Sequence, residues 1–293
     1  MEQIAVKSYA KINLFLEVTG KRADGYHNIR TIFQTIDLAD EVVIEKASEG
    51  ITLLCNDPEI PTDEKNIAYK AAKLIVNEGM IKSGLKIRIV KNIPVTAGLA
   101  GGSSNAAAVL NGCNKLFSLE LQCRALFKMA DKLGSDVPFL LKGGTQLGEG
   151  RGEILTELKF KPAFWLVMVI EGKKVSTGSI YGAFKNHSTK SKIFDKTIKE
   201  LLTLNEISGG DLVKILYNDL EVPAEGLSPE IKTVKADLIK AGALGVLMSG
   251  SGPAVFGVAG TKKLAESIRS TLKNKYSRVF LTKMINPVDT GGV

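Results

Sequence analysis

The chain has 293 residues, 44% hydrophobic and 24% charged, with 39 Lys and Arg against 31 Asp and Glu for a formal charge of +8. That length buries one large core or two ordinary ones, and two domains is the better expectation. Two histidines, His27 and His187, and three cysteines without a Cys-x-x-Cys exclude a His-rich metal centre and a disulfide scaffold, and the longest apolar run, 163–170, is too short to span a bilayer.

Reduced, buried thiols at Cys55, Cys113 and Cys123 are therefore expected. With no basic, apolar leader at the start, so is a cytoplasmic location away from membranes. The basic charge suits nucleic acid or small anions equally well. It is scattered, though, with no run of five like charges and no basic-aromatic interleaving, so no nucleic-acid partner is expected.

In chain order, 4–18 alternates as a strand, 20–28 reads as a turn, and strands follow at 29–36, 41–46 and 51–55. Asn66 is placed to cap a helix through Glu78, with Ile67, Ala71, Leu74 and Ile75 on one face and Gly79 as its stop. A strand at 85–91 leads into a glycine-rich loop, and a helix over 104–116 follows. Ser118 is placed to cap the next helix, which carries Leu121, Ala125, Met129 and Leu133 and ends at Gly134. Residues 142–152 hold five glycines and read as turns. Beyond a boundary near 158 come a strand at 163–170, helices near 177–186, 192–204, 209–217 and 229–241, strands at 244–248 and 254–259, a helix at 262–274 and a strand at 278–282. The tail from Asp289 is expected to be loose.

The most informative segment is Ile93-Pro94-Val95-Thr96-Ala97-Gly98-Leu99-Ala100-Gly101-Gly102-Ser103-Ser104-Asn105, a strand joined to an alanine-rich helix by a loop with few side chains. Gly98, Gly101 and Gly102 allow positive φ and close backbone approach, and Ser103 with Ser104 is placed to cap the helix. Free amides and the helix dipole then face one anion. It is neither a Walker loop, lacking Gly-Lys-Ser/Thr, nor a dinucleotide fingerprint. A second loop, Ser249-Gly250-Ser251-Gly252-Pro253, joins two strands and could be a plain hairpin turn.

A phosphate loop without its own lysine needs charge from elsewhere. Lys11, among the apolar residues Ile12, Leu14 and Leu16, and Asp136, before Val137-Pro138, are the candidates. Each alone has a plainer reading, as a snorkelling edge lysine and a helix cap.

Taken with the loops, the segments Ala10-Lys11-Ile12-Asn13-Leu14, Arg22-Ala23-Asp24-Gly25-Tyr26-His27 and Gly134-Ser135-Asp136-Val137-Pro138 resemble the GHMP kinases over nearly the whole chain. The resemblance implies an α/β (α+β) two-domain fold. Its N-terminal domain, residues 1–158, would be like domain 2 of ribosomal protein S5, and its C-terminal domain, residues 159–288, would be ferredoxin-like. The Arg22–His27 segment narrows the likeness to the branch that phosphorylates the 2-hydroxyl of a methylerythritol carrying a cytidine diphosphate, in the non-mevalonate route to isoprenoids.

By the same resemblance Asp136 is the base toward the acceptor hydroxyl with Lys11 beside it, and Asn13 binds near that hydroxyl. Tyr26 stacks on the cytosine, His27 hydrogen-bonds it, and Tyr181 completes the sandwich, with Phe184 close by in sequence. Gly250, Ser251 and Gly252 line the substrate phosphates. Pro94, Ala97, Gly98, Leu99, Ala100, Gly101, Gly102, Ser103, Ser104 and Asn105 cradle ATP, and Asn66 touches adenine. Mg2+ is expected on the phosphates, water and the Ser104 hydroxyl, with no dedicated protein metal site, and the chain is expected to be a monomer or weak homodimer. Many members carry glycine where this chain has Ala100, so its φ is expected to stay negative. Rival readings are a homoserine- or mevalonate-type kinase, a basic RNA-binding protein and a non-catalytic nucleotide sensor.

Overall fold

The computed structural model describes residues 1–172, 175–185, 200 and 204–286. The expected helix at 192–204, save residues 200 and 204, together with His187 and the C-terminal tail, lies outside these residues.

Two long antiparallel strands, β1 (Gln3–Lys21) and β2 (His27–Ala47), form the spine. Sequence alternation split β2 in two because Asp37 and Asp40 interrupt its apolar pattern. In the structure the strand is continuous, since both carboxylates find partners: Asp37 accepts from Lys283 N at 2.9 Å, and buried Asp40 from Asn92 N and Ile93 N at 2.7 Å each. What changes along β2 is its neighbour, with β4 (Gly84–Val90) pairing residues 41–47 and β5 (Thr145–Glu149) pairing residues 31–34.

β3 (Ile51–Cys55) lies outside β4, β6 (Ile154–Glu157) pairs with β5, and the two-residue β8 (Tyr217–Asn218) pairs with β1, making a seven-stranded sheet. Positive φ at Gly143, Gly144, Gly150 and Gly152 places the turns at the ends of β5, so the glycine-rich stretch holds a strand the sequence pattern concealed.

Three helices cover this sheet: α1 (Ile67–Asn77), α2 (Gly101–Leu116) and α3 (Cys123–Leu133). Val42, Ile44, Ile87 and Ile89 pack on Ala68, Ala71, Ala72 and Ile75 of α1 and on Ala106, Ala107, Val109 and Leu110 of α2. The small side chains let α2 approach closely: a Cβ on Gly112 would sit 2.5 Å from Ile44 Cδ1. Helix α3 starts later than expected, at Cys123, with Gln122 rather than Ser118 at its cap position and no side-chain cap bond. Cys123 is consequently exposed and Cys55 half-buried. Only Cys113 is buried, its thiol pushed up to about 12 by burial, and all three are free.

The second half forms a four-stranded antiparallel sheet from β7 (Trp165–Ile170), β9 (Gly245–Met248), β10 (Ala254–Ala259) and β11 (Val279–Lys283), in the order β11-β7-β10-β9. Counted within this half the order is 4-1-3-2, the ferredoxin-like arrangement. Period-two alternation divides its side chains. Leu166, Met168, Phe256 and Val258 pack on Ala10, Ile12 and Leu14 of β1, whereas Val167, Val169 and Val255 face the later helices.

Candidate active site

The site begins with two irregularities in the β1–β2 ladder, one between Tyr9 and Lys11 and one between Asn13 and Phe15. Such bulges re-aim side chains. Ala10, Ile12 and Leu14 point into the core, so Lys11 and Asn13 share the opposite face. Both are nearly enclosed, at 4% and 1% exposure, which rules out a snorkelling edge lysine. Lys11 Nζ donates to Asn13 Oδ1 at 2.8 Å, lies 5.3 Å over the Phe33 ring and pairs with Asp136 Oδ2 at 3.6 Å.

Asp136 precedes the short helix α4 (Val137–Lys142) in the cap position, but its side chain makes no cap bond. The plainer reading therefore falls, and the carboxylate is left facing Lys11.

The first glycine loop is tied to both halves of the protein through its carbonyls. Lys11 N donates to Leu99 O at 3.2 Å, Ser249 Oγ to Gly98 O at 3.1 Å and Ala254 N to Ala97 O at 3.2 Å. With three successive carbonyls fixed, the left-handed conformation falls on Thr96 (φ 56), Gly98 (φ 79) and Ala100 (φ 55). This corrects two expectations. Ala100 does not keep a negative φ, and Gly101 and Gly102 are already helical. Gly101 is instead tightly packed: a Cβ there would meet Ile93 Cγ2 at 3.0 Å and Lys91 Nζ at 3.1 Å.

Nor do the serines cap α2: Ala100 occupies the cap position, and Ser104 Oγ donates to Tyr9 O at 2.6 Å. The first intrahelical bond runs from Ser104 N to Ala100 O, so the amides of Gly101, Gly102 and Ser103 precede it and have no acceptor within the helix. Asn105 faces inward, its amide donating to Ser8 Oγ and Asp40 Oδ2 at 2.9 Å each. Asn66 caps α1 as expected, accepting from Ala68 N at 2.9 Å and donating to Pro61 O at 2.7 Å.

The second glycine loop is more than a hairpin turn. Its Gly250 lies against the pair on β1, where a Cβ would be 3.3 Å from Asn13 Oδ1 and 3.6 Å from Lys11 Nζ. Buried Asn218 holds the loop by donating to Met248 O at 2.9 Å and Gly250 O at 2.8 Å. At the start of α5 (Thr177–Ala183), Thr177 Oγ1 lies 2.9 Å from Ser251 Oγ.

A cleft of about 920 Å3 brings together Lys11, Asn13, Tyr26, His27, Gly98, Ala100, Asp136, Tyr181 and Gly250–Gly252, residues separated by up to 241 positions in the chain. Its walls do not include Asn66, Pro94, Ala97, Leu99 or residues 101–105. His27 and Tyr181 stack with centroids 5.0 Å apart, and burial, reinforced by Lys21, holds the His27 pKa below its usual value. The imidazole is thus neutral at pH 7, with one donor and one acceptor nitrogen. Burial, with the Asp136 charge, raises the Tyr181 phenol.

Phe184 also lines the cleft, as do Thr96 and Arg151, which the sequence reading passed over. Arg151 lies 5.7 Å over the Tyr26 ring and pairs with Asp131 at 2.8 Å. A lone charge between Gly150 and Gly152 was the available signal. No group of three or more His, Cys, Asp or Glu able to hold a metal occurs among the described residues, and no helix there is long and apolar enough to cross a membrane.

A buried lysine facing a half-buried aspartate, with a glycine loop from each half packed against the lysine's strand, is the arrangement of a small-molecule kinase of the GHMP class. Residues 66–144 match the GHMP kinases N terminal domain and residues 196–278 the GHMP kinases C terminal. A 4-diphosphocytidyl-2-C-methyl-D-erythritol kinase of Clostridium botulinum is 46% identical over 281 residues, covering 96% of this chain and 99% of that protein. A crystal structure of 4-(cytidine 5'-diphospho)-2C-methyl-D-erythritol kinase superposes with a TM-score of 0.81 at 35% identity, covering 96% of this chain and 99% of the other. The chain belongs to this family. Homoserine kinase from Cytophaga hutchinsonii, at 20% identity and a TM-score of 0.76 over 97% of this chain and 98% of its own, shares the fold.

Proposed function

We propose that the protein transfers the γ-phosphoryl of ATP to the 2-hydroxyl of 4-diphosphocytidyl-2-C-methyl-D-erythritol, in line and without a phosphoenzyme. The observation that carries this reading is the 3.6 Å Lys11–Asp136 pair in the same cleft as the His27–Tyr181 stack. Asp136 Oδ2 accepts the proton of the attacking hydroxyl, and the Lys11 ammonium stabilises the charge that develops on its oxygen. Asn13 holds the acceptor near that hydroxyl. Much of the rate comes from positioning two bound reactants.

The ATP phosphates lie on the glycine loop and the first amides of α2, from Gly98 to Asn105, with Pro94 to Ala97 leading into it. Asn66 lies at the adenine end and touches the base around its existing cap bonds. Among the described residues there is no acidic cage, so Mg2+ would be carried in on the phosphates, with the Ser104 oxygen as a side-chain contact, and would there neutralise phosphate charge.

The cytosine is read by Tyr26 and Tyr181 as stacking faces and by neutral His27 as hydrogen-bond partner, and Gly250, Ser251 and Gly252 follow the diphosphate. We assign residues 1–158 to the nucleotide-binding domain and 159–288 to the second domain, and place the protein in the cytoplasm as a monomer or weak homodimer.

Competition tests base recognition directly. CMP and CDP are expected to inhibit ADP release competitively against the acceptor; indifference to both would assign the cleft to a cytidine-blind kinase.

A further inference from the structure

Lys11 is held in place by a chain of hydrogen bonds that reaches beyond the cleft. Its ammonium donates to Asn13 Oδ1 at 2.8 Å, Asn13 Nδ2 donates to Thr31 Oγ1 at 2.7 Å, and Thr31 Oγ1 donates to the carbonyl of Phe15 at 2.6 Å. Thr31 is on β2, fully buried and absent from the cleft walls.

The direction of each bond is dictated by chemistry. A hydroxyl has one proton, and the Phe15 carbonyl, an obligate acceptor, takes it. Thr31 Oγ1 can therefore offer Asn13 only lone pairs, which requires the amide nitrogen of Asn13 to face Thr31 and its oxygen to face Lys11. Turned over, the amide would set oxygen against oxygen at Thr31 and an NH2 group against the Lys11 ammonium. In a site this enclosed both mismatches are costly. The sequence suggested none of this, because Thr31 reads as one residue of an apolar strand.

We propose that Thr31 is a positioning residue for phosphoryl transfer: its hydroxyl locks the Asn13 amide so that the Asn13 oxygen holds the Lys11 ammonium beside Asp136. This inference rests on the roles proposed for Lys11 and Asp136. It also explains why Asn13 serves two purposes, since the second Nδ2 hydrogen remains for the acceptor.

The test compares Thr31→Val, which keeps the shape and removes the hydroxyl, with Thr31→Ser, which keeps the hydroxyl. In steady-state kinetics T31V should lower kcat by roughly tenfold, the scale of one buried hydrogen bond, with KM for ATP unchanged, while T31S restores most of the loss. In the background of Asn13→Ala, T31V should have little further effect, since the relay is already cut.

The Asn13 side-chain amide signals in 15N NMR supply a readout separate from turnover. They should be protected from hydrogen exchange in the wild type and T31S and lose protection in T31V. Unaltered kcat in T31V, additive losses in the double variant, or unchanged Asn13 protection in T31V would each overturn the proposal. If the wild type phosphorylated no acceptor, the functional reading would fail while the amide signals still judged the relay.

Discussion

At the scale of single residues, chemistry in this protein is set by what encloses a side chain. Lys11 and Asp136 each have a plain reading in sequence and become an ion pair because the β1–β2 ladder shifts register on either side of the Lys11–Asn13 segment and the Asp136 carboxylate makes no cap bond. Asp136→Asn and Lys11→Ala should each lower kcat by about a hundredfold or more, with ATP affinity nearly unchanged, as stopped-flow binding and steady-state kinetics would show. The reverse pattern, lost ATP binding with kcat intact, would contradict the roles assigned. His27 adds a pH dependence. Burial holds its pKa below the ordinary imidazole value near 6.5, so acceptor KM should rise in acid with a midpoint below that value. A rise centred at or above that value would show that burial does not control the ring.

At the scale of elements, the two glycine loops are one device. A Cβ on Gly98 would lie 2.3 Å from Ser249 O, so Gly98→Ala should destabilise the fold by well over 1 kcal/mol in denaturant titration and loosen ATP binding with it. Ala100 presents the opposite case. Held at φ 55 with a side chain, it carries a cost of about 1 kcal/mol that Ala100→Gly should relieve, giving a higher Tm. An unchanged or lower Tm would mean the loop has relaxed around the alanine.

Element types were largely legible because alternation and caps are local. The Asn66 cap of α1, β3 and the helix beginning at Lys262 appear where the pattern put them. What stayed hidden was non-local. β2 is continuous because Asp37 and Asp40 bond to residues far along the chain, and the left-handed positions were misassigned because they depend on which carbonyls Lys11, Ser249 and Ala254 hold. The short β8 and the helix Glu221–Leu227 were also missed, being too brief to show a period.

At the scale of the whole molecule, the basic charge and a first half expected to resemble a ribosomal protein domain invite an RNA-binding reading, which fold alone cannot decide. The buried Lys11 paired with Asp136 in the cleft points to catalysis on small molecules. RNA affinity, measured by anisotropy, should accordingly be weak and lost between 50 and 200 mM salt, while turnover varies little over that range. Tight RNA binding with turnover falling as steeply would reverse the assignment. Of the residues the motifs singled out, Lys11, Asn13, Tyr26, His27, Asp136 and Tyr181 share one cleft, whereas Asn66, Pro94, Ala97, Leu99 and residues 101–105 are not in its walls. The motifs could not convey its geometry, which arises where the four-stranded sheet packs its even-numbered face onto β1.

The most direct test of the central claim is ADP release measured in a coupled assay with 4-diphosphocytidyl-2-C-methyl-D-erythritol, homoserine, mevalonate or no acceptor. Release with the cytidyl acceptor alone is predicted. Release with homoserine or mevalonate in its place, or with none of the three, would contradict the account.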